Sequence, residues 1–253
     1  MKNVLLVLIG LFLASNVNGQ VAAVAPIIGA NVIKVNVSSS LALGHYLFQY
    51  ERALSLNRSI GLGIGVSSNV DLPFKKQLLD QYGDNADAVR AIETTKFDKL
   101  TITPEYRFYL NKKGAPIGFY LATFVRYTKF SFSGDYSFTP SNGILHIAPV
   151  TGSLNGIGGG AMIGVQWALG KTITLDWWIV GPFAGVQNGD FNGTSDMSDM
   201  SDADKAKLES DIEDTDIPLW NIDATVENNT VNAKISGPFV GVRMFGICLG
   251  VRL

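Results

Sequence analysis

Histidine and cysteine, two residue types that often serve as catalytic base and nucleophile, are scarce in this sequence. It holds two histidines, His45 and His146, and a single cysteine, Cys248. A hydrolase needs a nucleophile with a base beside it, and neither histidine belongs to a His-x-Ser pair or stands near an oriented serine and carboxylate. We therefore predict no catalytic residues and no enzymatic activity. A lipid-modifying enzyme whose groups meet only in space stays an alternative.

Other segments resemble ligand sites only superficially. Residues 156–160 are rich in glycine, but they lack the strand-then-helix context that gives a nucleotide-binding loop its meaning. Residues 196–216 are acidic, but they lack the spaced oxygen ligands and central glycine of a calcium loop. The net charge of −2 gives no case for nucleic acid. We predict no cofactor, no metal site and no nucleic-acid partner, with a cation on the acidic segment as the alternative.

The first residues have the composition of a targeting segment. Lys2 precedes an apolar run at 4–14 and small residues near Gly19, which is the pattern of a secretory signal peptide. This run is shorter than the roughly 20 residues that a spanning helix needs. We predict a signal peptide over residues 1–19 and one domain over residues 20–253. The chain is 47% hydrophobic and 17% charged, a balance that suits apolar residues facing a membrane.

Strict alternation of apolar and polar residues predicts the elements that would position these side chains. Eight segments show it: residues 32–38, 45–53, 59–67, 100–110, 119–128, 160–169, 172–180 and 245–253. Many approach the roughly 9–11 residues of a tilted membrane-spanning strand. An even number of strands suits a closed barrel. The fold class that we predict is all-β, an eight-stranded antiparallel up-and-down transmembrane β-barrel.

The connections between these segments alternate in length. Short turns lie near residues 55–58, 111–116 and 170–171, whereas long polar segments cover 68–99, 131–154 and 187–234. Short periplasmic turns and longer extracellular loops are the outer-membrane pattern. Two long loops are predicted to carry helices, one of them beginning at Asp202 with Ser201 as its cap.

The two faces of the predicted strands differ in content. The polar face is rich in small residues and carries about one charge per strand, which suits a narrow interior that side chains fill. Charged groups there must pair. We predict an interior ion-pair network of Glu51, Glu105, Arg107, Arg126, Asp176 and Arg252. Lys34, near a strand end, is expected to reach water instead.

The other face is nearly uncharged, and we predict that it contacts lipid. The predicted lipid-facing residues are Ile60, Leu62, Ile64, Ile163, Val165, Leu175 and Leu249. Aromatic residues near strand ends favour the membrane–water boundary. The predicted aromatic belt is Tyr46, Tyr106, Trp167 and Trp177, with ordinary strand propensity as the alternative reason for these residues.

Several phrases resemble the DUF3575 family of uncharacterised Bacteroidetes outer-membrane proteins. They are residues 48–51 (FQYE), 102–110 (ITPEYRFYL), 118–121 (GFYL), 125–127 (VRY) and 175–178 (LDWW). This resemblance implies the same barrel and the same compartment. The family brings no established activity and no catalytic residues.

The sequence therefore predicts a small, monomeric barrel in the bacterial outer membrane with a structural or surface-interaction role. Its partners would be outer-membrane lipid and a surface ligand bound through the loops, since loops on a rigid scaffold carry most recognition. The alternatives are a soluble lipocalin-like carrier, a narrow pore and an outer-membrane lipid-modifying enzyme.

Overall fold

The computed structural model describes residues 30–72, 74–110, 114–214 and 219–253, without the side chains of residues 42 and 43. The predicted signal peptide, residues 1–19, lies outside the described residues. Within them the chain forms nine strands and four helices. In chain order they are β1 (Asn31–Asn36), α1 (Val37–Leu43), β2 (Tyr46–Ser55), β3 (Arg58–Asp71), α2 (Lys75–Tyr82), α3 (Ala86–Thr94), β4 (Lys96–Tyr109), β5 (Gly118–Phe138), β6 (His146–Leu169), β7 (Ile173–Thr194), α4 (Asp202–Glu213), β8 (Asn221–Val226) and β9 (Thr230–Arg252).

All strands belong to one antiparallel sheet, so the predicted all-β class is confirmed. Sequential strands pair from β1 to β7, β7 pairs with β9, and β9 pairs with β1, which closes a ring. The closing contact is short and runs from the pair Val32 and Arg252 to the pair Asn36 and Cys248. Strand β8, which the sequence did not predict, pairs only with β9 and lies at the edge of the sheet.

The two ends of the ring are built differently. At the short-turn end, residues 56–57 join β2 to β3 and residues 170–172 join β6 to β7. At the opposite, long-loop end, the connections carry the four helices and β8. No helix among the described residues is long and apolar enough to span a bilayer.

Four strands extend well past the others toward the long-loop end. Strands β5, β6, β7 and β9 have 21, 24, 22 and 23 residues, against 6 in β1 and 10 in β2. Much of residues 131–154 and 187–234, predicted as loops, is therefore strand, which corrects that prediction. The predicted helix at Asp202 is confirmed as α4, where the Ser201 hydroxyl accepts a bond from the Asp204 amide at 3.1 Å.

The apolar face of the long strands changes sides part-way along them. Two adjacent outward rows cross β5, β6, β7 and β9 in register. The row nearer the short-turn end is Tyr127, Ile157, Val186 and Pro238, and the next row is Lys129, Asn155, Asn188 and Ser236. We call the step between these rows the polarity boundary. Before the boundary the sheet is apolar on its outside, and beyond it the apolar residues lie on the inside.

The part beyond the polarity boundary forms what we call the lobe: the ends of β5, β6, β7 and β9 with α3, α4 and β8. Its concave face carries apolar side chains, among them Phe132, Phe138, Phe191 and Ile235. Helices α3 and α4 flank this face, through Ala91 and Leu208. The lobe thus has its apolar side chains on the inside.

Candidate functional site

A network of buried charges crosses the ring near its short-turn end. The Lys34 ammonium donates to Glu51 Oε2 at 2.5 Å, to Asp176 Oδ2 at 2.7 Å and to Gln166 Oε1 at 2.6 Å. The Arg107 guanidinium donates to Asp176 at 2.7 Å and to Glu105 at 2.5 Å. These side chains come from β1, β2, β4, β6 and β7, so the network ties together strands from most of the ring.

The network is electrically balanced. Its cations are Lys34, Arg107 and Arg243, and its anions are Glu51, Glu105 and Asp176. Arg243 joins through its Nη1, 3.3 Å from Glu105 Oε2. Three positive and three negative charges sum to zero, as buried ions require if none is to lie uncompensated.

The composition of the network differs from the prediction in four cations: Arg126 and Arg252 are absent from it, and Lys34 and Arg243 belong to it. Arg252 lies at the end of β9, where its guanidinium donates to the Lys171 carbonyl at 2.6 Å. Arg126 lies nearer the long-loop end and makes none of the network's ion pairs. Lys34, expected to reach water, is 1% exposed, because the carboxylates on β2 and β7 and the opposing Gly250 leave it space in the interior.

Neutral groups complete the network. The Tyr109 and Ser59 hydroxyls donate to Glu51, both at 2.5 Å, and the Tyr120 hydroxyl donates to Asp176 at 2.8 Å. Gly164 makes room for this arrangement, because a Cβ there would collide with the Tyr120 ring. The small residues along the inward face therefore leave space for the large charged and phenolic side chains to meet in the interior of the ring.

The predicted lipid-facing residues stand on the outward face of the strands. Leu62 is 42% exposed and Leu249 is 47% exposed, and Ile60, Ile64 and Ile163 are exposed as well. Leu175 is half-buried. Val165 is only 9% exposed, which corrects the prediction of an open surface position. It lies between the larger Phe119 and Trp177 of the neighbouring strands, which cover it.

The predicted aromatic belt divides between the two ends of the ring. Tyr46 begins β2 at the long-loop end and is exposed. Tyr106, Trp167 and Trp177 lie toward the short-turn end, and the two indoles stack with their centroids 6.5 Å apart. Tyr127, another aromatic residue near a predicted strand end, lies at the polarity boundary, where its hydroxyl donates to Asn155 at 2.9 Å.

Two cavities lie between the network and the long-loop end. The lobe cavity, of about 510 Å³, lies on the concave face of the lobe between α3 and α4. The second, of about 530 Å³, lies inside the ring between the network and the lobe. We call it the cationic cavity because Lys99, Arg126 and Arg243 line it and no acidic residue does.

Sequence reasoning missed Arg243 and Lys99 for identifiable reasons. Phe245 has a positive φ of 52°, and the consecutive residues Met244 and Phe245 are both exposed on the outside of β9. The alternation therefore changes phase at this point, and the pattern of residues 245–253 does not extend to Arg243. Lys99 precedes the predicted segment 100–110 by one residue, although continued alternation puts it on the inward face with Thr101.

His45 meets a serine only in the folded chain. Its Nδ1 is 3.0 Å from Ser67 Oγ, and its Nε2 is 3.3 Å from Thr101 Oγ1. The ring lines the cationic cavity, whereas Ser67 is buried and does not line it. A base–nucleophile pair of this kind normally has a carboxylate that orients the base, and here the second nitrogen faces a hydroxyl.

No family model, curated protein or solved structure matches this chain. The resemblance to the DUF3575 family therefore stays a prediction. Across the described residues no group of three or more histidine, cysteine, aspartate or glutamate side chains is placed to hold a metal ion.

Proposed function

We propose that this protein is an eight-stranded transmembrane β-barrel of the outer membrane with a surface-binding role. In this proposal β1 to β7 and β9 form the barrel, the short-turn end faces the periplasm, and the lobe stands outside the cell. The observation that carries it is the change of apolar face at the polarity boundary. A strand that is apolar outward over one part and apolar inward over the next has two solvents around it, lipid and then water.

The height of the apolar outer band supports the membrane assignment. On β9 the band runs from Val240 to Val251, eleven residue steps. At about 3.3 Å per residue this is about 36 Å of strand, or about 28 Å along the barrel axis at a tilt of about 40°. A bilayer's hydrocarbon core is about 30 Å thick, so one layer of lipid would cover the band.

The alternatives of a soluble carrier and a pore fit this arrangement less well. A lipocalin-like carrier needs apolar residues inside the ring, where this chain has its charge network. A pore needs an open interior, whereas the interior near the short-turn end is filled by the fully buried side chains of Arg107, Tyr109, Tyr120 and Met162. We therefore propose a barrel whose interior is sealed near the short-turn end and which conducts no ions.

Membrane fractionation and reconstitution test this proposal. The protein should sediment with outer membranes and migrate differently on a gel before and after boiling, because a folded barrel resists SDS. In planar bilayers it should give no discrete conductance steps. Recovery in the periplasmic fraction without detergent would contradict the barrel, and steady conductance would contradict the sealed interior.

A surface role is supported by the lobe, which carries exposed loops and an apolar cavity on a rigid sheet. Trypsin added to intact cells should cleave in α4 after Lys207, which is exposed on the lobe. Lys171 is the matched control, since it is also exposed but lies in the turn between β6 and β7, on the proposed periplasmic side. Cleavage at Lys171 with α4 protected would reverse the orientation.

A catalytic role has one observation in its favour, the contact between His45 and Ser67. We do not adopt it, because Ser67 is buried and the pair lacks a carboxylate. Replacing His45 with alanine should accordingly leave the membrane lipid profile unchanged. An altered profile in cells that still contain the folded barrel would favour the enzyme.

A further inference from the structure

Two of the three cations that line the cationic cavity, Lys99 and Arg126, have no acidic partner among the described residues. Arg126 lies close enough to Lys99 and to Arg243 for the like charges to repel. In the part of the chain that the structure describes, Lys99 and Arg126 make no ion pair and no side-chain hydrogen bond. The neighbouring network cannot compensate them, because its three acids are already balanced by three cations.

Aromatic rings, rather than acids, lie against Lys99 and Arg126, and they also lie against Arg243 beside its ion pair with Glu105. The Lys99 ammonium lies 5.1 Å from the ring centre of Phe130, and the Arg126 guanidinium lies 5.8 Å from that of Phe183. Arg243 lies 4.3 Å from the ring of Trp178. Cation–π contacts orient a cation but leave its charge in place, so the field in the cavity stays positive.

Two buried polar atoms on the cavity wall have no partner among the described residues. They are Arg243 Nε and Thr128 Oγ1, and the two residues are 6% and 1% exposed. Buried polar groups in proteins are nearly always hydrogen-bonded. A donor on Arg243 and a hydroxyl on Thr128, both beside unpaired cations, suit a ligand with acceptor oxygens and a negative charge.

The cavity also reaches the outside of the ring through the wall. Strand β9 pairs with β8 up to Ser236 and with β1 from Cys248, so its edge has no strand partner over residues 237–247. The cavity is lined both by inward residues of this stretch, such as Arg243, and by outward ones, such as Val242 and Met244. It therefore wraps around the open edge, where apolar side chains are exposed.

We propose that the cationic cavity binds an amphiphile with an anionic head group, a carboxylate or a phosphate, and an apolar tail. The head group lies on Lys99, Arg126 and Arg243, and the tail lies along Phe183 and Phe239 toward the open edge of β9. The volume of about 530 Å³ is in the usual range for a small-molecule site. That the ligand comes from a surrounding bilayer rests on the proposed function. That the cavity binds a negatively charged group does not rest on it.

Native mass spectrometry of the folded protein in a nonionic detergent tests the proposal. Dodecanoate should bind once per chain. Dodecanol, which lacks the negative charge, and inorganic phosphate, which lacks the apolar tail, should each bind at least about tenfold more weakly. Phosphatidylglycerol and phosphatidylcholine form the second arm. Binding of phosphatidylglycerol that excludes dodecanoate identifies a bilayer lipid as the source, and binding of dodecanoate alone identifies a free amphiphile.

Variants separate the cavity from other cationic sites. Arg126→Gln should weaken dodecanoate binding about tenfold or more, whereas Lys129→Gln, three residues along β5 on the outward face, should not. A heat-modifiable band shows that each variant is folded, so loss of binding is distinguishable from loss of the barrel. The proposal would be overturned by equal binding of dodecanol and dodecanoate or by unchanged dodecanoate binding in Arg126→Gln. Strong destabilisation of Arg126→Gln would also overturn it.

Discussion

At the scale of single residues, the buried ions near the short-turn end depend on one another. Lys34 contacts both Glu51 and Asp176 with no exposure to water. Lys34→Met should lower the free energy of unfolding by about 3–5 kcal/mol, because it leaves buried carboxylates with too few cations. The measurement is urea unfolding of the protein reconstituted in lipid vesicles.

A second substitution tests whether charge balance is the cause. With Lys34 removed, the network has two cations and three acids, and Asp176→Asn restores two of each. The double variant Lys34→Met, Asp176→Asn should therefore regain most of the lost stability, a coupling that a double-mutant cycle measures. Additive losses in the double variant would show that packing, not charge, sets the cost.

The inward glycines make a separate residue-scale prediction. A Cβ on Gly250 would lie 2.5 Å from Thr174 Oγ1 and 2.9 Å from Lys34 Cγ, whereas a Cβ on Gly63 would have 3.7 Å to its nearest neighbour. Gly250→Ala should therefore cost about 1–3 kcal/mol through overpacking, measured by the same unfolding assay. Gly63→Ala, on the same face, should be neutral or slightly stabilising, and equal losses in both variants would contradict this account.

At the scale of elements, α4 is attached to the lobe by its first turn. The Asp204 carboxylate accepts bonds from the Ser201 hydroxyl at 2.7 Å and the Ser141 hydroxyl at 2.9 Å. The bonds from Ser201 and Ser141 hold the pKa of Asp204 below its ordinary value. Since the pKa is lowered on folding, its contribution to stability is present above the ordinary pKa and is lost as the pH falls through the lowered one.

This linkage makes a pH prediction for α4. In detergent micelles, the NMR signals of α4 should show loss of the cap at a midpoint below about 3.9, the ordinary pKa of aspartate. The substitution Ser201→Ala should move the midpoint of the Asp204 titration upward. A midpoint that does not respond to Ser201→Ala would contradict the capping role of this serine.

The elements also show which parts of the fold alternation in the sequence predicts. Strands such as β3 keep one apolar outward face, from Ile60 to Val66. The alternation of apolar and polar residues in the sequence predicts these strands. The extension of β5 beyond Lys129 was predicted as loop, because there the apolar residues, Phe130 and Phe132, move to the opposite face. Apolar and polar residues still alternate beyond this point, but the apolar ones lie on the other face. A search for one continuous apolar face therefore ends the predicted strand too early.

At the scale of the whole molecule, the site was less predictable than the fold. Sequence reasoning identified four members of the charge network, Glu51, Glu105, Arg107 and Asp176, by their position on the polar face. It missed Arg243 because Met244 and Phe245 both face outward, which shifts the phase of alternation in β9. It also could not anticipate the cavity, which depends on where β1 ends against β9 rather than on any local pattern.

The central claim is that the outer band before the polarity boundary contacts lipid while the lobe beyond it contacts water. Spin labels in reconstituted vesicles test it directly, with Cys248→Ser as background and single cysteines at Leu62, Ile163 and Leu249 for the band and at Asn188 and Ser236 for the lobe. Labels on the band should be relaxed by oxygen and shielded from a water-soluble nickel chelate, and labels on the lobe should show the reverse. Equal relaxation by the nickel chelate at Leu62, Leu249 and Asn188 would contradict the account.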